Sequence, residues 1–367
     1  MKAHHIALVL HDFSTGGSER IAIRLANRWA ASGRRVTLLC GTEQGAARGL
    51  VSPNIHVEAC TPETVRSPWS RLQLGWRMAH LVRKHRPDII FSPGNFHLVI
   101  LAFLARNQFA KRPAFVSKLS NPVRRAGIRQ YIEKFADWAI RTAAAPVDVL
   151  VAMSPSLKNE AHEVFRAQDV AEISEPILED QTIRPDRSLN ARGTPLILCI
   201  GRLCPQKDFM TAIRAFAEIA DRTTAQMVIL GEGPLRKGLE RELSRLGLSD
   251  RVEMPGHVAD IGRYLGEADL FLMTSRYEGY PAVLIEAMAA GLPIVTTNCT
   301  LAMPEIMASP NLGAVVSSRD PAEIGLAILN QLAQPMPEAS ASSSIIERHR
   351  IGVASAAYLD LFDRMAA

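Results

Sequence analysis

The chain has 367 residues, 47% of them hydrophobic and 22% charged, with a formal net charge of +5. That is an ordinary globular composition, long enough for two domains with substantial cores. No apolar run approaches the ~20 residues of a membrane-spanning helix, and five scattered cysteines with no C-x-x-C pair argue against zinc and disulfides.

Strand and helix signals alternate throughout, which predicts an α/β protein with parallel sheets. In the first half, apolar runs predict strands at 6–10, 36–40, 88–92, 114–118 and 147–153. Helical periodicity predicts helices at 18–32, 70–84, 96–106, 128–144 and 156–165. The first residues run straight into a strand with no signal-peptide pattern, so a cytoplasmic protein is expected. Polar, proline-containing sequence from 168 to 195 reads as a link. A second series follows, with strands at 196–201, 226–231 and 252–255 and helices at 209–220 and 235–246. Strands at 268–274 and 292–297 then flank a further helix, another helix reads near 321–332, and 350–365 reads as a final one. Residues 333–344, with two prolines and several serines, read as a surface loop. The expected fold class is two doubly wound Rossmann-like domains facing a cleft. Their expected limits are 1–172 and 196–348, with a link at 173–195 and a last helix from 349 to 367.

The segment from Glu278 to Glu286 carries the most chemistry. Two carboxylates stand eight residues apart, one in a loop after an apolar strand and one two turns into the following helix. Pro281 suits a first helical turn and Gly291 a C-terminal stop. In a parallel sheet such a loop lies at the carboxyl ends of the strands, where ligands bind. Amides from Gly279 to Leu284, across Tyr280, Pro281, Ala282 and Val283, would sit at the positive helix end and suit a phosphate. The carboxylates would then accept from hydroxyls. Phosphate-seeking amides beside hydroxyl-seeking acids suit a sugar nucleotide. Glu286 also lies in an otherwise apolar stretch, where an unpartnered carboxylate would be costly.

Earlier in the second half, Gly201-Arg202-Leu203 and Lys207 follow a strand. Two cations on one turn suit a diphosphate, arginine as a planar fork and lysine as a point charge. Glu232-Gly233-Pro234 follows the next strand, and glycine there allows close backbone approach. In the first half, Gly16-Gly17 opens a helix after the first strand and could present bare amides to an anion.

Together these elements resemble the retaining glycosyltransferases of the family-4 type, the group 1 glycosyltransferases. The resemblance lies in the two glutamates, the G-R-L…K element, the G-x-G-P turn and the G-G loop, and it covers essentially the whole chain. It implies the B-type glycosyltransferase fold, with the last helix crossing back to the first domain. It implies a nucleotide-diphospho-sugar donor, UDP-sugar favoured, whose diphosphate is neutralised by Arg202 and Lys207. Glu286 would take the ribose hydroxyls and Glu278 those of the donor sugar, with the base near Val258, Glu232 and Gly233 close by, and Gly16 and Gly17 toward the phosphates. Retention would follow from front-face attack, the departing phosphate taking the acceptor proton. No D-x-D stands at a strand end, so neither metal nor other cofactor is expected. The transferred unit would be a hexosyl or N-acetylhexosaminyl group, moved to a glycan or glycolipid in cell-surface polysaccharide synthesis.

Two departures stand out. Many relatives carry a histidine where this chain has Lys118-Leu119-Ser120-Asn121, so Asn121 or Ser120 would take its place, with Asn121 the acceptor-side candidate. His97 could line that side too, although a helix-surface position is the stronger expectation. Glu175 stands where asparagine is usual.

Charge divides unevenly: residues 1–190 carry +9 and residues 191–367 carry −4. The basic excess is densest between Arg106 and Lys134. It fits peripheral contact with an anionic membrane, an acidic acceptor, or simply a solvated face. No nucleic-acid motif accompanies it. Two other function classes stay open: a nucleotide-sugar epimerase on the same fold, and a non-catalytic nucleotide-sugar-binding scaffold subunit.

Overall fold

The computed structural model describes residues 2–14, 16–67, 69–122, 130–166, 169–182, 193–258 and 260–366, with the side chains of 96 and 130–136 left aside. The chain divides into two compact units, Met1–Glu179 with His349–Ala367, and Asp180–Arg348.

The first unit is built on seven parallel strands: β1 (His5–Leu10), β2 (Arg35–Cys40), β3 (His56–Ala59), β4 (Ile89–Ser92), β5 (Ala114–Leu119), β6 (Val149–Ala152) and β7 (Asp169–Glu172). Their order is β3-β2-β1-β4-β5-β6-β7. β1 is buried at every position, as a central parallel strand covered on both faces must be. The helices are α1 (Gly17–Ala31), α2 (Ser70–His85), α3 (Asn95–Ala105), α4 (Gln130–Ala144) and α5 (Pro155–Phe165). α2 to α5 pack side by side, while α1 packs with the last helix of the chain. Trp29 of α1 stands edge-on to Phe91, Tyr358 and Phe362, with ring centres 5.2 to 5.7 Å apart.

The second unit has six parallel strands: β8 (Leu196–Ile200), β9 (Gln226–Leu230), β10 (Val252–Gly256), β11 (Leu270–Met273), β12 (Ile294–Thr297) and β13 (Gly313–Val316). Their order is β10-β9-β8-β11-β12-β13. Between them run α6 (Phe209–Ala217), α7 (Arg236–Arg245), α8 (Gly262–Glu267), α9 (Ala282–Ala289), α10 (Met303–Ile306), α11 (Pro321–Leu332) and α12 (Ala339–Arg348). α13 (Ile351–Met365) closes the first unit. Gly325 of α11 lets it approach α6: an added Cβ would stand 2.8 Å from the Ala215 carbonyl.

Each sheet is doubly wound. The strand order reverses between β1 and β4 in the first and between β8 and β11 in the second, and ligands bind outside the carboxyl ends of strands at such points. The loops leaving β1, β8 and β11 are those that carry Gly16-Gly17, Arg202 with Lys207, and Glu278.

The structure departs from the sequence expectation in six elements, two of them the short helices α8 and α10. β3, β7 and β13 are sheet edges of four residues each, too short to register as apolar runs, and β3 and β7 are half polar besides. β7 falls inside the stretch expected to be link. Residues 339–348, expected as loop, form α12, which buries Ser342 and Ile345 and packs against α9. Tertiary contact supplies what its serine-rich propensity does not.

Candidate functional site

In the second unit, Lys207 and Glu278 meet. The Lys207 ammonium lies 2.7 Å from Glu278 Oε1, joining residues 71 apart in sequence. Glu278 is buried, with its side chain 9% exposed, so the lysine is its charge partner in the absence of ligand. Gln206 donates weakly to the other oxygen at 3.4 Å and to the Tyr277 carbonyl at 2.9 Å. The aliphatic stem of Lys207 lies over Gly201, 3.2 Å from where a Cβ would stand. That glycine has φ +159, at the edge of the left-handed region.

Asp208 fixes the turn from below. It adopts a left-handed φ of +48 at the start of α6. Its carboxylate accepts from Thr211 at 3.0 Å, from Arg276 at 3.1 Å, and from Arg319. Arg319 also donates to the Thr274 and Ser275 carbonyls at the end of β11. Arg319 therefore ties the lysine-bearing turn to the glutamate-bearing loop. Nothing in its local sequence marks it for this role.

The three strand exits on the other side are laced together. The Leu203 amide donates to the Glu232 carbonyl at 2.9 Å, the Leu235 amide to the Leu203 carbonyl at 3.0 Å, and the Gly231 amide to the Gly256 carbonyl at 2.8 Å. The glycines there have a packing reason: a Cβ at Gly231 would stand 1.9 Å from the Gly201 carbonyl oxygen, and one at Gly233 2.4 Å from that of Leu203. The expected freedom to approach a ligand is therefore taken up by the neighbouring turn. Glu232 is exposed, and its side chain is held by Arg236 at 3.0 Å. Val258 lies half-buried just beyond β10. Arg202 is exposed and has no side-chain partner among the described residues.

α9 begins at Ala282 with Pro281 as its N-cap, and no side chain caps it. Proline has no N–H, and the Leu284 amide already donates to the Pro281 carbonyl at 3.0 Å. The expected amide set is corrected accordingly: neither Pro281 nor Leu284 has an amide to offer. Gly279, Ala282 and Val283 lie at the uncapped end, where amides lack intrahelical acceptors. The loop is pinned from behind by the Glu278 amide on the Cys299 carbonyl at 2.7 Å and by Thr300 Oγ1 on the Gly279 carbonyl at 2.9 Å. Tyr280 and Glu286 are each half-buried, Glu286 on the same helix.

The first unit has its own constellation at the carboxyl end of the sheet. Arg66 reaches Asp12 Oδ1 at 2.9 Å, Ser14 Oγ at 2.8 Å and Glu19 Oε1 at 3.0 Å. Burial alone would raise the Asp12 carboxyl, but hydrogen bonds from Arg66 and Ser14 outweigh it and bring it to about 2. Glu19 is buried in this network. Gly16 and Gly17 are exposed at the start of α1, which has no side-chain cap. A Cβ at Gly17 would meet nothing within 4 Å. The next exits meet close by: a Cβ at Gly94 would stand 2.6 Å from Ser120 Oγ and 3.4 Å from Ser18 Oγ. Asn95 Oδ1 accepts from the Ser120 amide at 2.6 Å, and Asn95 Nδ2 donates to the Asn121 carbonyl at 2.9 Å. Asn121 itself is exposed.

His97 is a correction. It is 1% exposed, not on a helix surface. α3 is apolar nearly all round and packed against α2, α4 and β5, so it has little outer surface to give. Burial, then the charges of His11, Arg66 and Arg71, push the His97 imidazole down to about 3. It is a buried, neutral side chain of α3.

Among the described residues, one group has donor atoms close enough to share a metal ion: His56, Glu58 and His85. It stands at the amino end of β3, away from these loops. Glu58 already takes the Lys84 ammonium at 2.7 Å as well as both histidines, and these bonds outweigh burial to bring its carboxyl to about 2.

Comparison with known proteins covers both units. Residues 16–173 match the family described as glycosyl transferase 4-like domain, and residues 194–334 the family described as glycosyl transferases group 1. A lipopolysaccharide core biosynthesis glycosyltransferase of Rhizobium meliloti, LpsD, is 27% identical over 100% of this chain and 99% of its own. The N-acetyl-alpha-D-glucosaminyl L-malate synthase of Bacillus anthracis is 25% identical over 82% of this chain and 80% of its own. Among solved structures, Anabaena HepE in complex with UDP and glucose superposes with a TM-score of 0.78 at 20% identity, covering 98% of this chain and 99% of that one. With both halves matched and both sheets in this arrangement, the chain belongs to the group 1 glycosyltransferases and has the B-type glycosyltransferase fold.

Proposed function

We propose that the protein transfers a hexosyl or N-acetylhexosaminyl unit, with retention, from a nucleotide-diphospho-sugar to a glycan or lipid-linked glycan. The observation that carries this reading is the 2.7 Å pairing of Lys207 with the buried Glu278 beside the uncapped start of α9. A diphosphate arriving there offers Lys207 a doubly charged partner and frees Glu278 to accept from sugar hydroxyls. Arg202, with no competing side-chain partner among the described residues, adds a planar fork for phosphate oxygens. The amides of Gly279, Ala282 and Val283 add dipoles aimed at the same charge.

In the proposed reaction the bond between the anomeric carbon and the diphosphate breaks as an acceptor hydroxyl attacks the same face. The departing phosphate oxygen takes the hydroxyl proton. The protein's part is electrostatic: Arg202, Lys207 and the helix amides hold the growing negative charge. These fixed cations stand where a metal would otherwise serve. Glu286 takes the ribose, and the exits at Glu232, Gly233 and Val258 take the base. The amides of Gly16 and Gly17 offer a second anion site on the first unit, near Asn121. The complex of HepE with UDP and the place of LpsD in lipopolysaccharide core biosynthesis support a UDP-sugar donor and a cell-surface glycan acceptor.

Thermal shift against UDP, GDP, ADP and CMP tests the donor class. A ligand at ~100 times its Kd stabilises by about 2.7 kcal/mol. Stabilisation by one nucleoside diphosphate, lost in Lys207→Ala, is the expected result. No shift with any of them favours the non-catalytic scaffold.

A further inference from the structure

Two histidines and a glutamate converge at the edge of the first sheet. His56 and Glu58 stand two apart on β3 and so share one face of that strand. His85 is the last residue of α2, where Arg86 ends the helix with a left-handed φ of +49. His56 Nε2 and His85 Nε2 both meet the same carboxylate oxygen, Glu58 Oε2, the first at 3.3 Å. All three donor atoms lie within 4.8 Å of one another. Two ligands at ~2.1 Å from a tetrahedral zinc stand about 3.4 Å apart. His56 and Glu58 therefore already have the spacing of groups that share an ion.

The surroundings hold these side chains in place. Lys84 takes the other oxygen, Glu58 Oε1, at 2.7 Å and leaves Oε2 turned to the histidines. His5 stands edge-on to His85, but its Nε2 meets Thr37 Oγ1 at 2.9 Å and its ring also bonds the His85 main chain. It supports the group rather than joining it. Thr37 is in turn the β2 partner of His56 in the sheet register. Outer bonds of this kind orient metal ligands. The His56 side chain is 58% exposed, which leaves an ion a path in from solvent.

We propose that His56, Glu58 and His85 bind one divalent transition-metal ion of zinc's class, with water completing its coordination. Two imidazoles select zinc, cobalt or nickel over magnesium and calcium, which call for oxygen ligands throughout. Lys84 offsets the carboxylate's charge and disfavours the hard cations further. The ion would clip β3 to the end of α2 and close residues 58–85 into a loop. Arg66, which holds Asp12, Ser14 and Glu19, lies inside that loop. Occupancy would therefore steady the segment that carries Arg66. The site has no part in donor chemistry, and the proposal does not rest on the donor reading.

The test is calorimetry and thermal shift of the metal-stripped full chain with zinc chloride, with magnesium and calcium chloride alongside. Saturable binding of a single zinc with a raised Tm is expected. Cobalt(II) in its place should show the visible absorption of a four-coordinate nitrogen–oxygen site. His56→Ala, at an exposed position, should keep the metal-free Tm and bind zinc roughly tenfold or more weakly, the loss usual even for an outer partner of a ligand. Its thermal shift with nucleoside diphosphate should match that of the wild type, so failure of the donor reading would leave this proposal standing. Zinc binding that His56→Ala leaves unchanged, equal stabilisation by magnesium, or no saturable zinc binding overturns it.

Discussion

The Lys118 ammonium sits between both oxygens of Glu175, 2.7 Å from each, and the two side chains are only 1% and 8% exposed. Lys118 is the penultimate residue of β5 and Glu175 follows β7, so the pair ties the carboxyl ends of two strands together. Residues 57 apart in sequence are thereby joined inside the first unit.

Breaking the pair from one side strands a buried charge. Lys118→Met is expected to cost about 3–5 kcal/mol. Lys118→Met combined with Glu175→Gln should recover much of that loss. Urea unfolding of the two single variants and the double one measures the coupling. Additive losses would show that the residues act separately.

Lys207→Ala is expected to lower kcat by roughly 10²- to 10³-fold, the usual effect of removing one donor to a developing charge. It should also lower Tm modestly without ligand, since Glu278 loses its charge partner. Glu278→Gln should spare nucleoside diphosphate binding while weakening the sugar-dependent part of donor affinity. Calorimetry with the diphosphate and with the intact donor separates the two.

The glycines divide by what a methyl group would meet. Gly17→Ala meets nothing and replaces a poor helix former, so Tm should hold or rise, with activity falling if an anion approaches those amides. Gly233→Ala would collide with the Leu203 carbonyl and should lower Tm before any assay is run. A Tm loss at Gly17 equal to that at Gly233 would argue that both are merely structural.

Arg66 is 44% exposed, so its ion pairs should add about 1 kcal/mol or less to stability. Arg66→Ala is nonetheless expected to loosen residues 12–19. Faster amide exchange there, with Tm nearly unchanged, is the expected signature.

Burial holds His97 at about 3, against 6.5 for a free imidazole. Above pH 6.5 it is neutral in both states. As pH drops from 6.5 toward 3 the unfolded chain takes up a proton that the folded chain refuses. Stability should therefore fall by up to about 1.4 kcal/mol per pH unit across that window. His97→Gln should flatten this slope, as urea unfolding at pH 7 and pH 5 would reveal.

Much of this was legible in the sequence because buried parallel strands are written as apolar runs. β1, β2, β8 and β11 could be read directly, and the motifs at their exits stood out against them. Edge strands such as HVEA and DVAE are half-solvated, so their pattern has no such contrast. Arg66 and Arg319 were invisible for a different reason. Each acts on residues far away in sequence, and a lone arginine carries no local periodicity. His97 was misread because its helix looked like any other, while packing on three sides decides its burial.

The aromatic cluster around Trp29 also sets a timetable for biosynthesis. Trp29 and Phe91 leave the ribosome early, but their partners Tyr358 and Phe362 come near the end of the chain. At 5–20 residues per second, the first unit waits on the order of ten seconds or more for its last helix. During that wait the part of α1 that packs on α13 has no cover from its own chain. Until α13 emerges, the nascent first unit therefore shows apolar surface that the finished chain buries.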